Sequence, residues 1–224
     1  MHKNAIVSKK ALILQGGWEG HQPKECAALF SDKLAGLGFD VELSDTLACL
    51  DDGVRLGKFS LIVPLWTMGT LTAEREANLV AAISAGTGLA GFHGGMADAF
   101  RGSINYQWMV GGQFLAHPDN IKPYRVNITP LGRTDPITKD MSDFDVVTEQ
   151  YYMLVDPRNE VLASTVLQSI SAPWTNGVMM PVVWKKYHGL GRVFYSALGH
   201  RCAEFTAVPN QLELTLRGMA WAAR

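Results

Sequence analysis

The sequence has few cysteines and few charged residues, and both shortages exclude classes of protein. Its 3 cysteines lie far apart without CxxC spacing, which argues against a disulfide framework and against a cysteine zinc site. Charged residues make up 18% of the chain and the formal net charge is -1, so the sequence offers no basic stripe for nucleic acid or an anionic membrane surface. Phosphate-rich partners are therefore disfavoured.

Long apolar runs, repeats and low-complexity linkers are also missing. No apolar stretch approaches the ~20 residues of a membrane span, and the first ten residues lack the apolar core of a signal peptide. The 224 residues, 47% of them hydrophobic, suit one α/β domain. The sequence thus predicts a single domain over residues 1–224 in a reducing cytoplasm, with no membrane or nucleic-acid partner and with a homo-oligomer left open.

Strands and helices alternate along the first 95 residues. Consecutive apolar residues predict buried strands at 10–15, 61–65 and 89–92, and residues 39–43 predict a further strand. Pro23 suits the first turn of a helix, and Thr72 is a suitable N-cap for the next. This alternation predicts a parallel, doubly wound sheet with right-handed crossovers.

The chain is organised around the stretch GLAGFHGG at residues 88–95, where a short apolar strand ends at His93 and two glycines follow. Glycines on both sides allow the sharp strand-to-helix turn known as a nucleophile elbow. Here histidine stands where a hydrolase carries Ser or Cys, and imidazole can serve as base, acid or metal ligand. The alternative is an ordinary tight turn. We expect His93 at the mouth of a pocket.

Loops that leave the carboxyl ends of parallel strands line one crevice. Three such loops are predicted, at residues 16–21, 66–69 and 93–95, so His21 and His93 should approach each other. No dinucleotide fingerprint accompanies them, because Gly16, Gly17 and Gly20 lack the Gly-x-Gly-x-x-Gly order.

Further candidate residues follow the elbow. His117 precedes a proline, and His200 ends the second strand of a hairpin predicted at 181–187 and 192–198. Glu149 is a lone carboxylate among apolar and aromatic neighbours, in a strand predicted at 145–152, and would be costly to bury without a partner. The alternatives are surface histidines and a salt bridge from Glu149 to Arg192 or Arg125. His2 and His188 are expected to have no function.

Aromatic and glycine residues at the predicted strand ends favour a sugar ligand. Trp18 and Trp66 can stack on sugar rings, although tryptophan is more often core. The N–H groups of Gly94 and Gly95 can bind an anionic oxygen, or the two glycines simply relieve strain. Asn210 and Glu213 predict a capping box for the last helix.

Several separated blocks together resemble one family. They are residues 88–95, YQWMVGGQFLAH at 106–117, DPIT at 135–138, TEQY at 148–151, PVVW at 181–184, residues 191–200 and the closing WAA at 221–223. In this order they are similar to the ThuA-like proteins, the trehalose utilisation family of the class I glutamine amidotransferase-like superfamily. The resemblance implies a flavodoxin-like three-layer α/β/α sandwich with a mainly parallel sheet. Trp18 and Glu19 separate His21 from the first-loop glycines, which departs from the family pattern.

The resemblance also implies a role in trehalose or disaccharide utilisation, with a sugar or 3-keto-glycoside as the small-molecule partner. Glutamine hydrolysis is excluded, because it needs a cysteine at the elbow and His93 occupies that place. We expect acid/base chemistry by His93, Glu149, His117 and His200, giving isomerisation, elimination or glycoside hydrolysis. The alternative is a non-catalytic carbohydrate-binding protein.

A divalent metal is a further hypothesis. His93, His117 and His200, with His21 or Glu149 able to join, offer the neutral imidazoles and carboxylate that suit zinc, manganese or iron(II). Their spacing is not diagnostic, since every residue comes from a different loop. Histidines in a sugar pocket can equally bind hydroxyl groups.

Overall fold

A computed structural model describes residues 9–224 of the protein. His2 lies outside the described residues. In chain order the strands are β1 (Lys9–Gly17), β2 (Phe39–Ser44), β3 (Leu61–Thr67), β4 (Gly88–Phe92), β5 (Gly112–Ala116), β6 (Ile121–Ile128), β7 (Phe144–Glu149), β8 (Tyr152–Val155), β9 (Glu160–Val166), β10 (Met179–His188) and β11 (Gly191–Ser196). The helices are α1 (Pro23–Gly36), α2 (Gly53–Leu56), α3 (Ala73–Ser84), α4 (His93–Ala97), α5 (Ile104–Val110), α6 (Glu204–Ala207) and α7 (Pro209–Ala222), and 3-10 turns lie at Glu19–His21, Leu47–Leu50 and Pro173–Thr175.

One large sheet organises the described chain, with strand order β2-β1-β3-β4-β11-β10-β9-β6-β7. Its first five members pair in parallel, and they include all four strands predicted before the elbow. From β1 to β2 the chain moves towards the β2 edge of the sheet, and from β3 to β4 it moves in the opposite direction across the sheet. Because such crossovers are right-handed, α1 and α3 lie on opposite faces of the sheet. The predicted flavodoxin-like sandwich is confirmed.

The rest of the sheet forms an antiparallel wing, which we define as β10, β9, β6 and β7. The predicted hairpin of β10 and β11 is confirmed and joins this wing to the parallel strands. Register shifts between Pro181 and Trp184 mark an irregularity where β10 pairs with β9, and such irregularities bend a strand. Only Asn127 and Ile128 of β6 pair with β9, whereas residues 121–126 pair with β7. The β6–β7 hairpin therefore diverges from the sheet.

The direction of this divergence follows from contacts between distant strands. Five strand spacings separate β4 from β7 in the sheet order, a distance of roughly 24 Å in a flat sheet. Glu149 at the end of β7 nevertheless lies within hydrogen-bond distance of His93, which follows β4. The wing must therefore curl back over the carboxyl ends of the parallel strands.

Local sequence signals were correct at one helix start and wrong at another. Thr72 caps α3, because its hydroxyl accepts a hydrogen bond from the N–H of Arg75, as predicted. The predicted capping box of Asn210 and Glu213 is wrong, since α7 begins at Pro209 after Val208 without a side-chain cap. Proline supplies the start instead, because its missing N–H removes one of the donors that a cap would satisfy.

The strand predicted at 145–152 is also divided differently. It is two strands, β7 and β8, interrupted at Gln150 and Tyr151, and β8 pairs with β5 in a separate small sheet. The interruption turns the chain at Glu149 and directs Tyr151 to the site described below.

Within residues 9–224 no helix is long and apolar enough to span a bilayer.

Candidate functional site

His93 lies at a strained turn between β4 and α4. Its φ of 48° is in the left-handed region, which costs a non-glycine residue about 1–3 kcal/mol and persists only when the surroundings enforce it. The hydroxyl of Tyr195 donates to the carbonyl oxygen of His93 at 3.2 Å and holds this backbone. The predicted elbow is present. However, the side chain is only 1% exposed, so His93 lies at the floor of the site and not at its mouth.

Both ring nitrogens of His93 have defined neighbours. Nδ1 lies 2.8 Å from the carbonyl oxygen of Ala197, and Nε2 lies 3.0 Å from Oε2 of Glu149. A carbonyl oxygen only accepts, so Nδ1 carries a proton and donates it. Tyr151 stacks on the ring at a centroid distance of 4.2 Å. The imidazole is thus fixed in position and orientation.

Glu149 is the centre of the site. Its Oε2 lies 3.0 Å from His93 Nε2 and 3.3 Å from His200 Nδ1, and its Oε1 lies 3.8 Å from His117 Nε2. The alternative salt bridge is not formed, because Arg125 pairs with Asp145 and Arg192 donates to the carbonyl of Trp221. One carboxylate therefore gathers three histidines that are far apart in sequence.

The electrostatics keep this carboxylate ionised. Burial by itself raises the pKa of Glu149, but the neighbouring imidazoles of His200 and His93 outweigh it and hold the pKa well below its usual value. The side chain is 9% exposed. Glu149 is consequently a negative charge with little solvent exposure, and it orients and stabilises the groups around it.

His21 approaches His93, as the loop argument predicts, with ring centroids 4.8 Å apart. Its Nδ1 lies 2.7 Å from Oγ1 of Thr67, at the end of β3. Burial, followed by the proximity of His93 and His200, lowers the pKa of His21 to about 3. His21 is therefore neutral at physiological pH and offers a lone pair.

A cavity of about 230 Å³ lies above this cluster. It is lined by Trp18, His21, Met68, Asp98, Arg101, Phe114, His117, Glu149 and Tyr151. His117 is 36% exposed and Trp18 is 47% exposed, so both reach the solvent side of the cavity. Arg101 pairs with Asp98, its Nη2 lying 2.9 Å from Oδ2. The cavity combines an apolar aromatic wall with charged groups, as small-molecule sites usually do.

Trp66 and the two elbow glycines have different surroundings. The Trp66 ring packs over Gly16 and Gly69, where an added Cβ would lie 2.5 Å and 2.6 Å from ring atoms. A Cβ on Gly94 would lie 2.3 Å from Cε1 of His21, and one on Gly95 would lie 3.0 Å from the backbone of Leu65. Gly94 and Gly95 are therefore both required for close packing at the elbow. This requirement is independent of whether their N–H groups bind an anionic oxygen.

Sequence reasoning missed two residues that position the histidines, Thr67 and Tyr151. Thr67 lies inside the loop predicted at 66–69, so its place at the crevice was available from topology, although the structure assigns it to the end of β3. Tyr151 lies in the TEQY block, but its stacking on His93 depends on the curled wing. Within the described chain, the side chains of His21, His93, Glu149 and His200 offer donor atoms that all lie within 4.8 Å of one another.

The strand order and the histidine elbow define a flavodoxin-like α/β sandwich. The chain belongs to the ThuA family, described as trehalose utilisation, which it matches over residues 10–222. No curated protein matches the sequence significantly.

Solved structures share this fold at low sequence identity. A ThuA-like protein from Bacteroides uniformis superposes with a TM-score of 0.79 at 20% identity, over 99% of this chain and 95% of that one. A ThuA-like protein from Parabacteroides merdae has a TM-score of 0.73 at 16% identity, over 96% and 90%. A cytoplasmic protein from Salmonella typhimurium has a TM-score of 0.69 at 12% identity, over 96% and 100%. Identities this low establish the fold alone.

Proposed function

We propose that this protein is a cytoplasmic enzyme of disaccharide utilisation that removes a proton from the carbon next to a sugar carbonyl, in a 3-keto-glycoside. The observation that carries the proposal is the Glu149 carboxylate, held between His93, His200 and His117 below the cavity. Membership of the trehalose utilisation family supports the substrate class. A Salmonella neighbour described as cytoplasmic supports the location.

His117 is the general base in this proposal. Of the three histidines around Glu149 it is the most exposed, at 36% against 1% for His93 and 8% for His200. Its Nε2 lies 3.8 Å from Oε1 of Glu149, a separation that closes when substrate fills the cavity. The carboxylate then stabilises the imidazolium that forms, as in other histidine–carboxylate pairs.

The chemistry begins with one proton transfer. The C2–H bond of the 3-keto sugar breaks, its proton moves to His117, and its electron pair forms an enolate with the C3 carbonyl. Arg101 lines the same cavity and supplies positive charge near the enolate oxygen. Reprotonation of C2 on the opposite face of the enolate gives the C2 epimer, which is an isomerisation. In elimination, a C1–C2 double bond forms, the C1–O bond breaks, and the leaving alcohol takes the proton from His117.

Sugar recognition is assigned to the aromatic rim. Trp18 is half exposed and lines the cavity, and an aromatic face packs favourably on the C–H groups of a sugar ring. Trp66 packs over glycines and is assigned a supporting role. Glutamine amidotransferase activity has no place here, because the elbow carries His93 and not a thiol.

Deuterium exchange tests the proposed proton transfer directly. The protein is incubated in D₂O with 3-keto-trehalose and other 3-keto-glycosides, and label at C2 and any product are followed by NMR and mass spectrometry. We expect catalysed exchange, reduced by about 10²-fold or more in His117→Gln. His188→Gln is the matched control, since His188 ends β10 away from the cavity.

The alternative function is carbohydrate binding without catalysis. Saturable binding of these sugars without exchange or conversion would reject the enzyme and support the alternative. Exchange that is equally fast in His117→Gln would reject His117 as the base.

A further inference from the structure

The cluster of side chains beneath the cavity has the donor set of a metal centre. Three imidazoles and one carboxylate, from His21, His93, His200 and Glu149, offer atoms within 4.8 Å of one another. The side chains of His93, Glu149 and His200 are each less than 10% exposed. Nitrogen and carboxylate donors of this kind suit zinc, manganese and iron(II).

Two of the histidines are oriented as metal ligands usually are. A ligating histidine typically donates its second ring N–H to a carbonyl or another acceptor, which fixes the tautomer and directs the other nitrogen to the ion. His93 donates from Nδ1 to the carbonyl of Ala197 at 2.8 Å. The Nδ1 of His21 lies 2.7 Å from the hydroxyl of Thr67, which can accept in the same way. Each ring is left with one nitrogen for the cluster.

The contacts of Glu149 Oε2 with His93 and with His200 would each be stabilised by a positive charge between the two atoms. With one proton on Nδ1, His93 directs Nε2 at Oε2 of Glu149 at 3.0 Å, and this contact is favourable only when a second proton or a metal cation lies between the two atoms. His200 Nδ1 lies 3.3 Å from the same oxygen, yet it makes no hydrogen bond with any described residue. A buried nitrogen without a partner is costly.

The distances between the proposed ligand atoms fit a small metal ion. A tetrahedral zinc site with bonds of about 2.1 Å has donors roughly 3.4 Å apart. The distances of 3.0 Å and 3.3 Å from Glu149 Oε2 to His93 and His200 are close to this value. The widest separation, at most 4.8 Å, would close by about 1.4 Å on binding zinc.

We propose that His21, His93, Glu149 and His200 form a mononuclear site for a divalent transition metal, with His117 outside the ligand set. The structure places His117 on the other carboxylate oxygen, Oε1, on the solvent side. His21 and Glu149 also line the cavity, so the site opens towards the substrate. A bound ion would polarise the sugar carbonyl. This role rests on the proposed function, whereas metal binding does not.

Zinc titration of protein without a histidine tag tests the site. Metal is removed by dialysis against a chelator, and isothermal calorimetry with Zn²⁺ is combined with elemental analysis. We expect one equivalent of tightly bound zinc, with affinity reduced at least 100-fold in His93→Gln and Glu149→Gln. His117→Gln and His188→Gln should keep the wild-type affinity within about threefold.

Cobalt provides a measurement that does not depend on any variant folding. Co²⁺ added to the metal-free wild type should give the intense visible absorption of a four- or five-coordinate site with nitrogen donors, and Zn²⁺ should abolish it by displacement. Absence of both this spectrum and a zinc equivalent would overturn the proposal, as would zinc affinity that survives in both ligand variants. Zinc binding without deuterium exchange rejects only the proposed reaction, and exchange without zinc binding rejects only the metal site.

Discussion

The parallel strands and the antiparallel wing contribute to the site in different ways. The parallel part supplies His21 and His93 from the loops that follow β1 and β4, two strands separated by β3, and topology alone brings these loops to one edge of the sheet. The wing supplies Glu149, from a strand five spacings away from β4 in the sheet order. Its contribution depends on a bent β10 and a diverging β6–β7 hairpin. The comparison indicates that the parallel strands position the histidines, whereas the antiparallel wing contributes the negative charge of Glu149.

The largest expected effect comes from removing that charge. In Glu149→Gln we expect the activity on a 3-keto-glycoside to fall about 10²–10⁴-fold, because His117 loses the group that stabilises its protonated form. Steady-state kinetics measure this. Glu160→Gln is the matched control in the wing, since Glu160 is 44% exposed and lies 3.6 Å from Lys185. Equal losses in both variants would show that any charge change in the wing is damaging.

The second effect concerns the stability of the wing. Lys186 on β10 is 6% exposed, and its Nζ lies 2.6 Å from Asp156 and donates to the carbonyl of Trp108. We expect Asp156→Asn to lower the free energy of unfolding by about 2–4 kcal/mol at pH 7, because it leaves a buried ammonium unpaired. Asp145→Asn is the control, since Asp145 is 74% exposed and its pair with Arg125 contributes about 0–1 kcal/mol.

The pH dependence of this pair follows from the pKa of Asp156. Burial raises it, but the hydrogen bond with Lys186 outweighs burial and lowers the pKa below its ordinary value. Because the folded pKa is depressed, the stabilisation is complete above the unfolded pKa of about 3.9 and is lost as the pH falls through the folded value. Urea unfolding at several pH values should show the difference between wild type and Asp156→Asn shrinking below pH 4. A constant difference would contradict this assignment.

The third effect distinguishes two glycines of the parallel part. In Gly94→Ala the new Cβ meets the His21 ring, so we expect a loss of about 1–3 kcal/mol in unfolding free energy together with reduced activity. Gly36→Ala in α1 should instead be neutral or stabilising by up to about 1 kcal/mol, because no described heavy atom lies within 4 Å of its added Cβ. Thermal denaturation compares them. Similar stability of the two variants would mean that His21 moves aside freely.

The smallest effect is expected at the rim. Trp18→Ala should raise KM about 2- to 10-fold with little change in kcat or stability, since the ring is 47% exposed and contributes stacking only. Trp174→Ala is the control, because Trp174 is 80% exposed in the Pro173–Thr175 turn, outside the cavity. A loss of kcat without a change in KM would assign Trp18 to the reaction and not to binding.

The sequence by itself determined the parallel part and the elbow. Three of the parallel strands are predicted from runs of consecutive apolar residues, and the glycines beside His93 indicate a turn where an added side chain would collide with its neighbours. These signals are local, and the carboxyl ends of neighbouring parallel strands must meet at one edge. The approach of His21 to His93 followed without any side-chain geometry.

Only the tertiary structure decided how Glu149 is used. Its burial was predictable from its apolar neighbours, but its partners were not, and Arg125 and Arg192 were the wrong candidates. The partner depends on how far the wing curls, which in turn depends on irregular pairing of β10 with β9 and on the short contact of β6 with β9. Such long-range bending has no periodic signature in a sequence, because it results from the packing of several strands at once.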